Sequence, residues 1–202
     1  MATLYLYERR LESPAVPTGL APGVHVMVWD ASAMAAGIPR DWHPETEQRL
    51  RDGQTCVVGC HGNEVVAYCW LAASPVWVGE IARMVVPGPE DVYLYDAFTV
   101  PAWRGRGLFS ALLDQSMVCA AALGRRRVLV LALARNRASR QAIARAGFER
   151  VATVSRLALW RLDHVWVRGH RSGRGRVALI VPAAASGRGD GHDRRGRPDA
   201  GG

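Results

Sequence analysis

Two arginines alternate with two glycines in residues 104–107, a pattern suited to binding an anion. Glycine has no Cβ atom, so the backbone at Gly105 and Gly107 can turn sharply and bring several N–H groups close to a ligand. Arg104 and Arg106 add charge-assisted hydrogen-bond donors. A helix that follows such a turn directs further N–H groups and the positive end of its dipole at the same point. The stretch therefore predicts a site for a phosphate-bearing ligand.

The flanking sequence supplies the elements that would position this site. Residues 92–100 are predicted as a strand, residues 101–107 as the turn, and the following residues as a helix that ends at Gly124. The apolar side of the helix is predicted from its spacing to be Phe109, Leu112, Leu113, Met117, Ala120 and Leu123.

Two nucleotide-binding motifs are excluded by missing residues. A phosphate-binding loop of the NTPase type ends in Gly-Lys-Ser/Thr, and the chain contains no lysine. A dinucleotide fingerprint needs a third glycine and a carboxylate about twenty residues later. Here Ser110 holds the third position, and no acidic residue lies between Asp114 and Glu149.

The turn resembles instead the acyl-CoA signature of the GCN5-related N-acetyltransferase (GNAT) superfamily, Arg/Gln-x-x-Gly-x-Gly/Ala preceded by a proline. Pro101, Arg104 and Gly107 match this signature, whereas Phe109 stands where the family has a small residue.

The resemblance continues downstream and covers roughly residues 55–160. An apolar strand predicted over residues 128–134 is followed by Asn136, Ser139 and the pair Gly147-Phe148 at the spacing that the superfamily uses. Two separated motifs thus agree in spacing.

The resemblance implies that an acyl thioester lies between two parallel strands that splay apart, here residues 92–100 and 128–134. Backbone groups near Phe98, Thr99 and Val100 would bind the pantetheine and polarise the thioester carbonyl. The pyrophosphate would lie on N–H groups of the turn. The residues that the resemblance assigns to the cofactor are Phe98, Thr99, Val100, Arg104, Gly105, Arg106, Gly107, Leu108, Phe109, Asn136 and Ser139.

Acyl transfer to an amine needs a base that removes a proton from the nitrogen. Asp96 stands where the family often has an acid, and Glu80, expected on the preceding strand, is the other candidate. The alternative for Asp96 is a structural carboxylate paired with an arginine. The family's usual general acid, a tyrosine, is replaced by Ile143, and Tyr93 or Tyr95 is a possible substitute, with core packing as the alternative for both.

The function implied is an acyl-CoA-dependent N-acyltransferase that moves an acetyl or other short acyl group from acetyl-CoA or a related thioester to a primary amine. The alternative is a catalytically silent acyl-CoA-binding or regulatory protein, for which the departures at Phe109 and Ile143 are the reason.

The charge distribution along the chain fits both substrates. Residues 1–102 carry 6 arginines and 12 acidic residues, whereas residues 103–150 carry 10 arginines and 2 acidic residues. The second segment suits a polyanionic cofactor, and the first suits a cationic amine. The alternative is a solvated surface in which arginine replaces lysine through compositional bias.

The fold class predicted is α/β (α+β), with a mixed, mostly antiparallel central sheet, splayed parallel strands and flanking helices. Residues 1–23 are expected to form a strand and connector, residues 24–167 the acyltransferase domain, and residues 168–202 an Arg/Gly-rich, mostly disordered tail. The remaining strands are predicted at 2–8, 25–29, 55–59, 65–72, 76–86, 151–160 and 164–167, and the remaining helices at 30–36, 44–52 and 137–146.

Several classes of site or location are disfavoured. The four cysteines include no C-x-x-C pair, so no metal site is expected. No apolar run reaches the roughly 18 residues of a membrane helix, and the first twenty residues lack a signal-peptide layout, so a cytoplasmic protein is expected. An RNA-binding role for the Arg/Gly tail is a weaker alternative, since no aromatic residues interrupt it.

Overall fold

The computed structural model describes residues 1–11, 20, 22–33, 45–160, 162–169 and 179–181. Within these residues the chain forms eleven strands and three α-helices, and a short 3-10 turn at Pro101–Trp103. The strands are β1 (Ala2–Arg10), β2 (Val24–Trp29), β3 (Thr55–His61), β4 (Glu64–Ala72), β5 (Val76–Val78), β6 (Arg83–Val86), β7 (Asp91–Thr99), β8 (Arg127–Leu133), β9 (Glu149–Leu159), β10 (Leu162–Gly169) and β11 (Leu179–Val181). The helices are α1 (Thr46–Arg51), α2 (Leu108–Ala122) and α3 (Arg137–Arg145).

Eight strands form one sheet in the order β10-β9-β1-β8-β7-β4-β3-β2. All neighbours in this sheet are antiparallel except β7 and β8, which are parallel. The predicted mixed, mostly antiparallel sheet is therefore confirmed. None of the helices in the described residues is both long and apolar enough to cross a membrane.

The two faces of the sheet are covered by different elements. Val92 and Leu94 of β7 pack in the cluster that contains the α2 residues Leu112 and Met117. Tyr93, between them, packs in a second cluster with Ile81 and its neighbours from the β5–β6 region. Because successive side chains of a strand point to opposite faces, α2 covers one face, and the β5–β6 hairpin covers the other.

The parallel strands β7 and β8 are paired only at one end. The register runs from Asp91 opposite Arg127 to Leu94 opposite Val130, and the pairing stops there although both strands continue. Beyond that point β7 stays paired with β4 on its other side. The two strands therefore splay apart, as the resemblance implied.

A buried ion triad closes the paired end. Arg127 donates two hydrogen bonds to Asp91, from Nε at 2.7 Å and from Nη2 at 2.8 Å, and a third from Nη1 to Glu8 at 2.7 Å. Asp91 is 4% exposed, and Glu8 is 9% exposed. The Asp91 carboxylate also accepts a hydrogen bond from the N–H of Gly88. One guanidinium thus joins β1, β7 and β8 at the end of the parallel pairing that lies opposite the splay.

The prediction of a single strand over residues 76–86 is wrong. It is two strands, β5 and β6, joined by a turn over residues 79–82 in which Ala82 adopts a φ of +47°. The two strands pair with each other, and β6 also pairs with β11, in a separate three-stranded sheet. The left-handed residue at the turn reverses the chain, so the apolar run folds back on itself.

Other boundaries differ in smaller ways. Leu123, predicted on the apolar side of α2, is 50% exposed because it follows the last helical residue. The strand predicted at 55–59 continues to His61, and Gly62 turns the chain with a φ of +58°.

Parts of three predictions lie outside the described residues: most of the connector before Gly23, residues 34–36 of the helix at 30–36 and the start of the helix at 44–52. β10 runs through the predicted domain boundary to Gly169, and β11 belongs to the segment predicted as tail. The rest of that segment also lies outside the described residues.

Replacing Arg127 with Met should lower the free energy of unfolding by about 3–5 kcal/mol, because it removes the cation that faces two buried carboxylates. Arg126→Met is the matched control: Arg126 is 79% exposed and contacts Glu90 at 3.4 Å on the surface, so the loss should stay below about 1 kcal/mol. Urea unfolding of both variants measures this, and equal losses would contradict a structural role for the triad.

The buried thiol of Cys69 predicts an alkaline loss of stability. Burial raises its pKa from 9.0 to about 12 in the folded chain, although Ser116, 3.4 Å away, lowers it. Between these two values the unfolded chain releases a proton that the folded chain keeps, so the free energy of unfolding falls as pH rises, by at most about 1.4 kcal/mol per pH unit. Cys69→Ala should flatten this slope in unfolding measured at several alkaline pH values, and an unchanged slope would refute the assignment.

Candidate functional site

The Arg/Gly turn connects the free end of β7 to the N-terminus of α2. Gly105 and Gly107 have φ values of +76° and +77°, a left-handed conformation that favours glycine. A Cβ atom built on either glycine would have no other atom within 4 Å. The glycines are thus required by the backbone conformation, and the space beside them is open to a ligand.

The N–H groups at this turn have no acceptors within the chain as described. Gly107 is the N-cap of α2 and has no side chain that could cap the helix. The first helical N–H with a backbone acceptor is that of Ala111, which donates to the carbonyl of Gly107. None of the N–H groups of residues 105–110 donates to a carbonyl or side chain of the described residues. A helix N-terminus with open N–H groups suits a phosphate.

The two arginines of the turn are exposed and rest on aromatic rings. Arg104 donates from Nε to the carbonyl of Thr99 at 3.1 Å, and its guanidinium carbon lies 6.0 Å from the centre of the Phe98 ring. The guanidinium carbon of Arg106 lies 4.7 Å from the centre of the Trp103 ring. Both cations therefore stand beside the open N–H groups.

The pairing of β7 with β4 decides which backbone groups face the splay. The N–H of Val100 donates to Val66 at 2.9 Å, and Phe98 lies opposite Tyr68. Because backbone groups of successive residues point to alternate sides of a strand, those of Phe98 and Val100 point towards β4. Of the three residues predicted to bind the pantetheine through the backbone, Thr99 alone turns its N–H and carbonyl towards the splay.

The N-terminus of α3 follows β8 across the splay. The Oδ1 atom of Asn136 accepts a hydrogen bond from the N–H of Ser139 at 3.0 Å, so Asn136 is the N-cap that the sequence predicted. Both residues are accessible to solvent. Ile143, at the position of the family's tyrosine, is fully buried in the cluster between α2 and the sheet, so no group at this position reaches the splay.

Asp96 lies in a β-bulge directly beyond the end of the parallel pairing. Tyr68 is opposite Phe98 and Trp70 is opposite Tyr95, so two residues of β7, one of them Asp96, oppose a single residue of β4. Asp96 has a φ of +46°, which aspartate tolerates better than most residues. The bulge aims its side chain at α1.

The Asp96 carboxylate forms an ion pair. Its Oδ2 atom accepts a hydrogen bond at 2.6 Å from Nη1 of Arg49 on α1. Arg49 also donates to Glu45, from Nη2 at 2.6 Å and from Nε at 3.1 Å. The geometry therefore agrees with the alternative interpretation of Asp96, a structural carboxylate that is paired with an arginine.

Glu80 is not on a strand, contrary to the prediction. It is exposed in the turn between β5 and β6, because the apolar run folds back at that point. Burial is the larger cause of the raised pKa of Tyr93, and the negative charge of Glu80 raises this pKa further.

The two tyrosines considered as general acids differ in accessibility. Tyr93 is buried in the core of the sheet. Tyr95 is partly buried, and its hydroxyl donates to Oε1 of Gln54. Burial raises the pKa of Tyr95 to about 12, with Arg49 opposing the shift and Asp96 adding to it. Tyr95 is thus the tyrosine that lies with Asp96 and Arg49.

Comparison with known proteins gives one match by sequence. A profile of the acetyltransferase (GNAT) family matches residues 24–148, more than half of the chain. The chain belongs to this family. The sequence matches no curated protein significantly.

Two solved structures of GNAT proteins and one of a Drosophila protein share the fold. A GCN5-related N-acetyltransferase from Sphaerobacter thermophilus has a TM-score of 0.53 at 15% identity, over 88% of this chain and 55% of that one. A GNAT-family protein from Novosphingobium aromaticivorans has a TM-score of 0.50 at 20% identity, over 75% and 61%. A Drosophila protein has a TM-score of 0.51 at 14% identity, over 75% and 48%. The chain thus spans roughly half to three-fifths of the length of these structures.

Sequence reasoning missed the α1 residues that meet β7 in this GNAT chain. Glu45 and Arg49 are spaced i,i+4, which favours an ion pair on a helix. That spacing was a signal for the pair, but no local pattern predicts a contact between Arg49 and Asp96, 47 residues apart.

Replacing Gly107 with Leu should weaken acetyl-CoA binding about ten- to hundredfold, the equivalent of losing one hydrogen bond to a charged group. Gly124→Leu is the matched control at the other end of α2, because Gly124 also has a left-handed φ, +67°, and open space around its Cβ position. Both changes should cost about 1–2 kcal/mol of stability. Calorimetric titration with acetyl-CoA separates them, and equal affinities would argue against the turn as the phosphate site.

Proposed function

We propose that the chain is an N-acyltransferase that moves an acetyl or other short acyl group from coenzyme A to a primary amine. The observation that carries the proposal is that the N–H groups without acceptors at the start of α2 follow the end of β7 whose pairing with β8 has stopped. Family membership supports acyl transfer in general. The acceptor and the acyl group are part of the proposal.

The residues of the turn and the splay fit acyl-CoA as the co-substrate. The open N–H groups of residues 105–110 would hold the pyrophosphate, and Arg104 and Arg106 would add positive charge. Leu108 and Phe109 would contribute to this set through the backbone. Asn136 and Ser139, at the start of α3 after β8, would flank the co-substrate from the other side of the splay.

The splay would orient the acyl end. The N–H of Thr99 faces the gap and would donate to the thioester oxygen, where negative charge develops. The carbonyl of Thr99 faces the same side and currently accepts from Arg104, so Arg104 shifts from this contact as the pantetheine enters. We therefore assign the backbone contacts to Thr99, and keep Phe98 and Val100 as the residues whose pairing with β4 holds Thr99 in register.

A bound acyl thioester supplies an activated carbonyl: the amine nitrogen bonds to the acyl carbon, the carbon–sulfur bond breaks, and the thiol leaves. Asp96 is the base that we propose takes the proton from nitrogen. A thiol, with an ordinary pKa of about 8.5, leaves without a strong general acid, so the loss of the family's tyrosine at Ile143 is tolerated. Tyr95 is the hydroxyl nearest to Asp96 along β7 and would be the donor if one acts.

The alternative function is an acyl-CoA-binding protein without transfer activity. Two observations favour it: Asp96 is engaged by Arg49, and Ile143 is buried where the family has a tyrosine. The two functions differ in thiol release, which occurs only if an amine is acylated.

Asp96→Asn should lower kcat for thiol release in the presence of primary amines by about a hundred- to ten-thousandfold, while the affinity for acetyl-CoA is unchanged. Asparagine tolerates the left-handed conformation at this position, so the bulge should persist. Glu80→Gln is the matched control, because Glu80 is exposed in the turn between β5 and β6 and not on β7, and it should keep full activity.

Two results would overturn these assignments. Full activity of Asp96→Asn would remove Asp96 as the base, and loss of activity with Glu80→Gln would return that role to Glu80. Saturable acetyl-CoA binding with no thiol release across alkylamines and arylamines would favour the silent acyl-CoA-binding protein.

A further inference from the structure

The hairpin formed by β9 and β10 projects beyond the rest of the sheet. Pairing of β9 with β1 stops at Ala2 opposite Arg156, whereas pairing of β9 with β10 continues to Leu159 opposite Leu162. Within the part of the chain that the structure describes, no strand pairs with residues 157–159 on the side where β1 lies. At about 3.3 Å per residue, the hairpin extends about 10 Å beyond the start of β1.

The projecting end carries large apolar side chains that contact solvent. Leu157, Leu159 and Leu162 are 41%, 66% and 68% exposed. Trp160, in the turn after β9, is fully exposed. The three leucines share one face of the hairpin, because Leu159 lies opposite Leu162 and alternate residues of a strand point to the same side. We call these four residues the hairpin tip. An exposed apolar group of this size is typical of a surface that binds something.

The backbone conformation of Trp160 adds an independent sign of a binding role. Its φ is +51°, a left-handed value that bulky residues rarely adopt. Glycine, asparagine or aspartate is the usual residue at such a position of a hairpin turn. The chain thus presents a large aromatic side chain to solvent where a small residue would suit the backbone better. Unfavourable conformations of this kind are concentrated at functional sites.

The charges next to the hairpin tip favour an anionic partner. Asp163 is the sole acidic residue of the sequence 156–169. Its carboxylate accepts hydrogen bonds from Nε of Arg156 at 2.7 Å and from Nη1 of Arg83 at 3.1 Å. The sequence adds Arg161 between the two strands. Three arginines and one neutralised carboxylate leave this end of the hairpin with net positive charge.

The shape and the hydrogen bonding of the tip suit a lipid surface. The strands pair with each other as far as Leu159 and Leu162, so the hairpin can enter an interfacial layer without bringing a row of unpaired backbone groups into it. Tryptophan is enriched at membrane interfaces, and arginines near the surface are attracted to anionic lipids. A convex tip buries its apolar surface in a deformable layer, whereas a second copy of the chain would offer the same convex tip and not a pocket.

We propose that the hairpin tip binds an anionic lipid surface. Leu159, Trp160 and Leu162 enter the interfacial layer, and Arg83 and Arg156 lie at the level of the headgroups. Interfacial segments penetrate about 5–10 Å, which matches the projection of the hairpin beyond β1. The inference goes beyond the proposed function and does not depend on it.

Docking in this way would orient the splay. The end of β8 lies beside the start of β1, with Leu133 opposite Leu4, and β9 ends beyond that start. Because β7 runs parallel to β8, its free end lies at the same edge of the sheet. The hairpin tip and the open end of the splay therefore face the same direction, and the lipid surface would lie next to both.

The test is co-sedimentation of the full-length chain with vesicles of equimolar phosphatidylcholine and phosphatidylglycerol. Trp160→Asn/Leu162→Ser removes two apolar side chains of the tip, and asparagine tolerates the left-handed turn. Affinity for the vesicles should fall about tenfold or more, the equivalent of leaving one large apolar side chain in water. Vesicles of phosphatidylcholine alone should bind the unmodified chain more weakly.

Val118→Ser/Leu123→Ser is the matched control. It removes two apolar side chains that are 38% and 50% exposed, at the end of α2 away from the splay. It should bind the vesicles like the unmodified chain. Trp160→Phe should keep most of the affinity but show less quenching of tryptophan fluorescence by lipids with brominated acyl chains, because the indole in the interfacial layer is gone.

Three results would overturn the proposal. One is absence of vesicle binding by the unmodified chain. Another is equal affinity of the tip variant and the unmodified chain, as expected if the arginines after Gly169 alone adsorb to the anionic surface. The third is a dimer that the tip variant dissociates in sedimentation without vesicles, which would make the tip a contact between two copies.

Titration of the same preparations with acetyl-CoA separates this inference from the proposed function. The tip variant should bind acetyl-CoA like the unmodified chain, which also shows that it is folded. Vesicle binding that depends on the tip, in a chain without acyl transfer, would support the lipid surface and contradict the enzyme. Acyl transfer by a chain that binds no vesicles would do the reverse.

Discussion

Arg127 binds Asp91 and Glu8 at once, in a place where none of the three charges is well solvated. Asp91 begins β7, Arg127 begins β8, and Glu8 lies in β1 on the other side of β8. Parallel strands held so firmly at one end can separate at the other without loss of register. The splay between β7 and β8 therefore lies at the other end of a four-residue pairing that the ionic contact closes.

The bulge at Asp96 links this cleft to the N-terminal half of the chain. One extra residue on β7 turns the Asp96 side chain towards α1, and it leaves Thr99 with its backbone groups towards the splay. The basic turn before α2 follows the free end of β7. Arg49 and its acidic partners contact the same strand at Asp96. This arrangement brings the open helix N-terminus and the paired carboxylate of Asp96 to the same end of β7.

Local patterns predicted the parts of the site that local physics determines. The glycines of the turn, the helix after them and the cap at Asn136 follow from backbone conformation and nearest neighbours, and the structure contains each of them. The fold of residues 76–86 into two strands was missed because an apolar run has the same composition whether it is straight or folded back. The sequence could not show that the backbone groups of Phe98 and Val100 point towards β4, since a bulge depends on pairing with a distant strand. The contact between Arg49 and Asp96 could not be predicted from the sequence either, because it joins residues that are 47 positions apart.

The most direct test of the account is residue-resolved amide hydrogen exchange with and without saturating acetyl-CoA. The account predicts slower exchange at Thr99 and at residues 105–110, whose N–H groups are open in the free chain, and no change at Val100, which is already bonded to Val66. Protection at Val100 with none at Thr99 would contradict the assigned register of the cleft. Binding without protection of residues 105–110 would contradict the turn as the phosphate site.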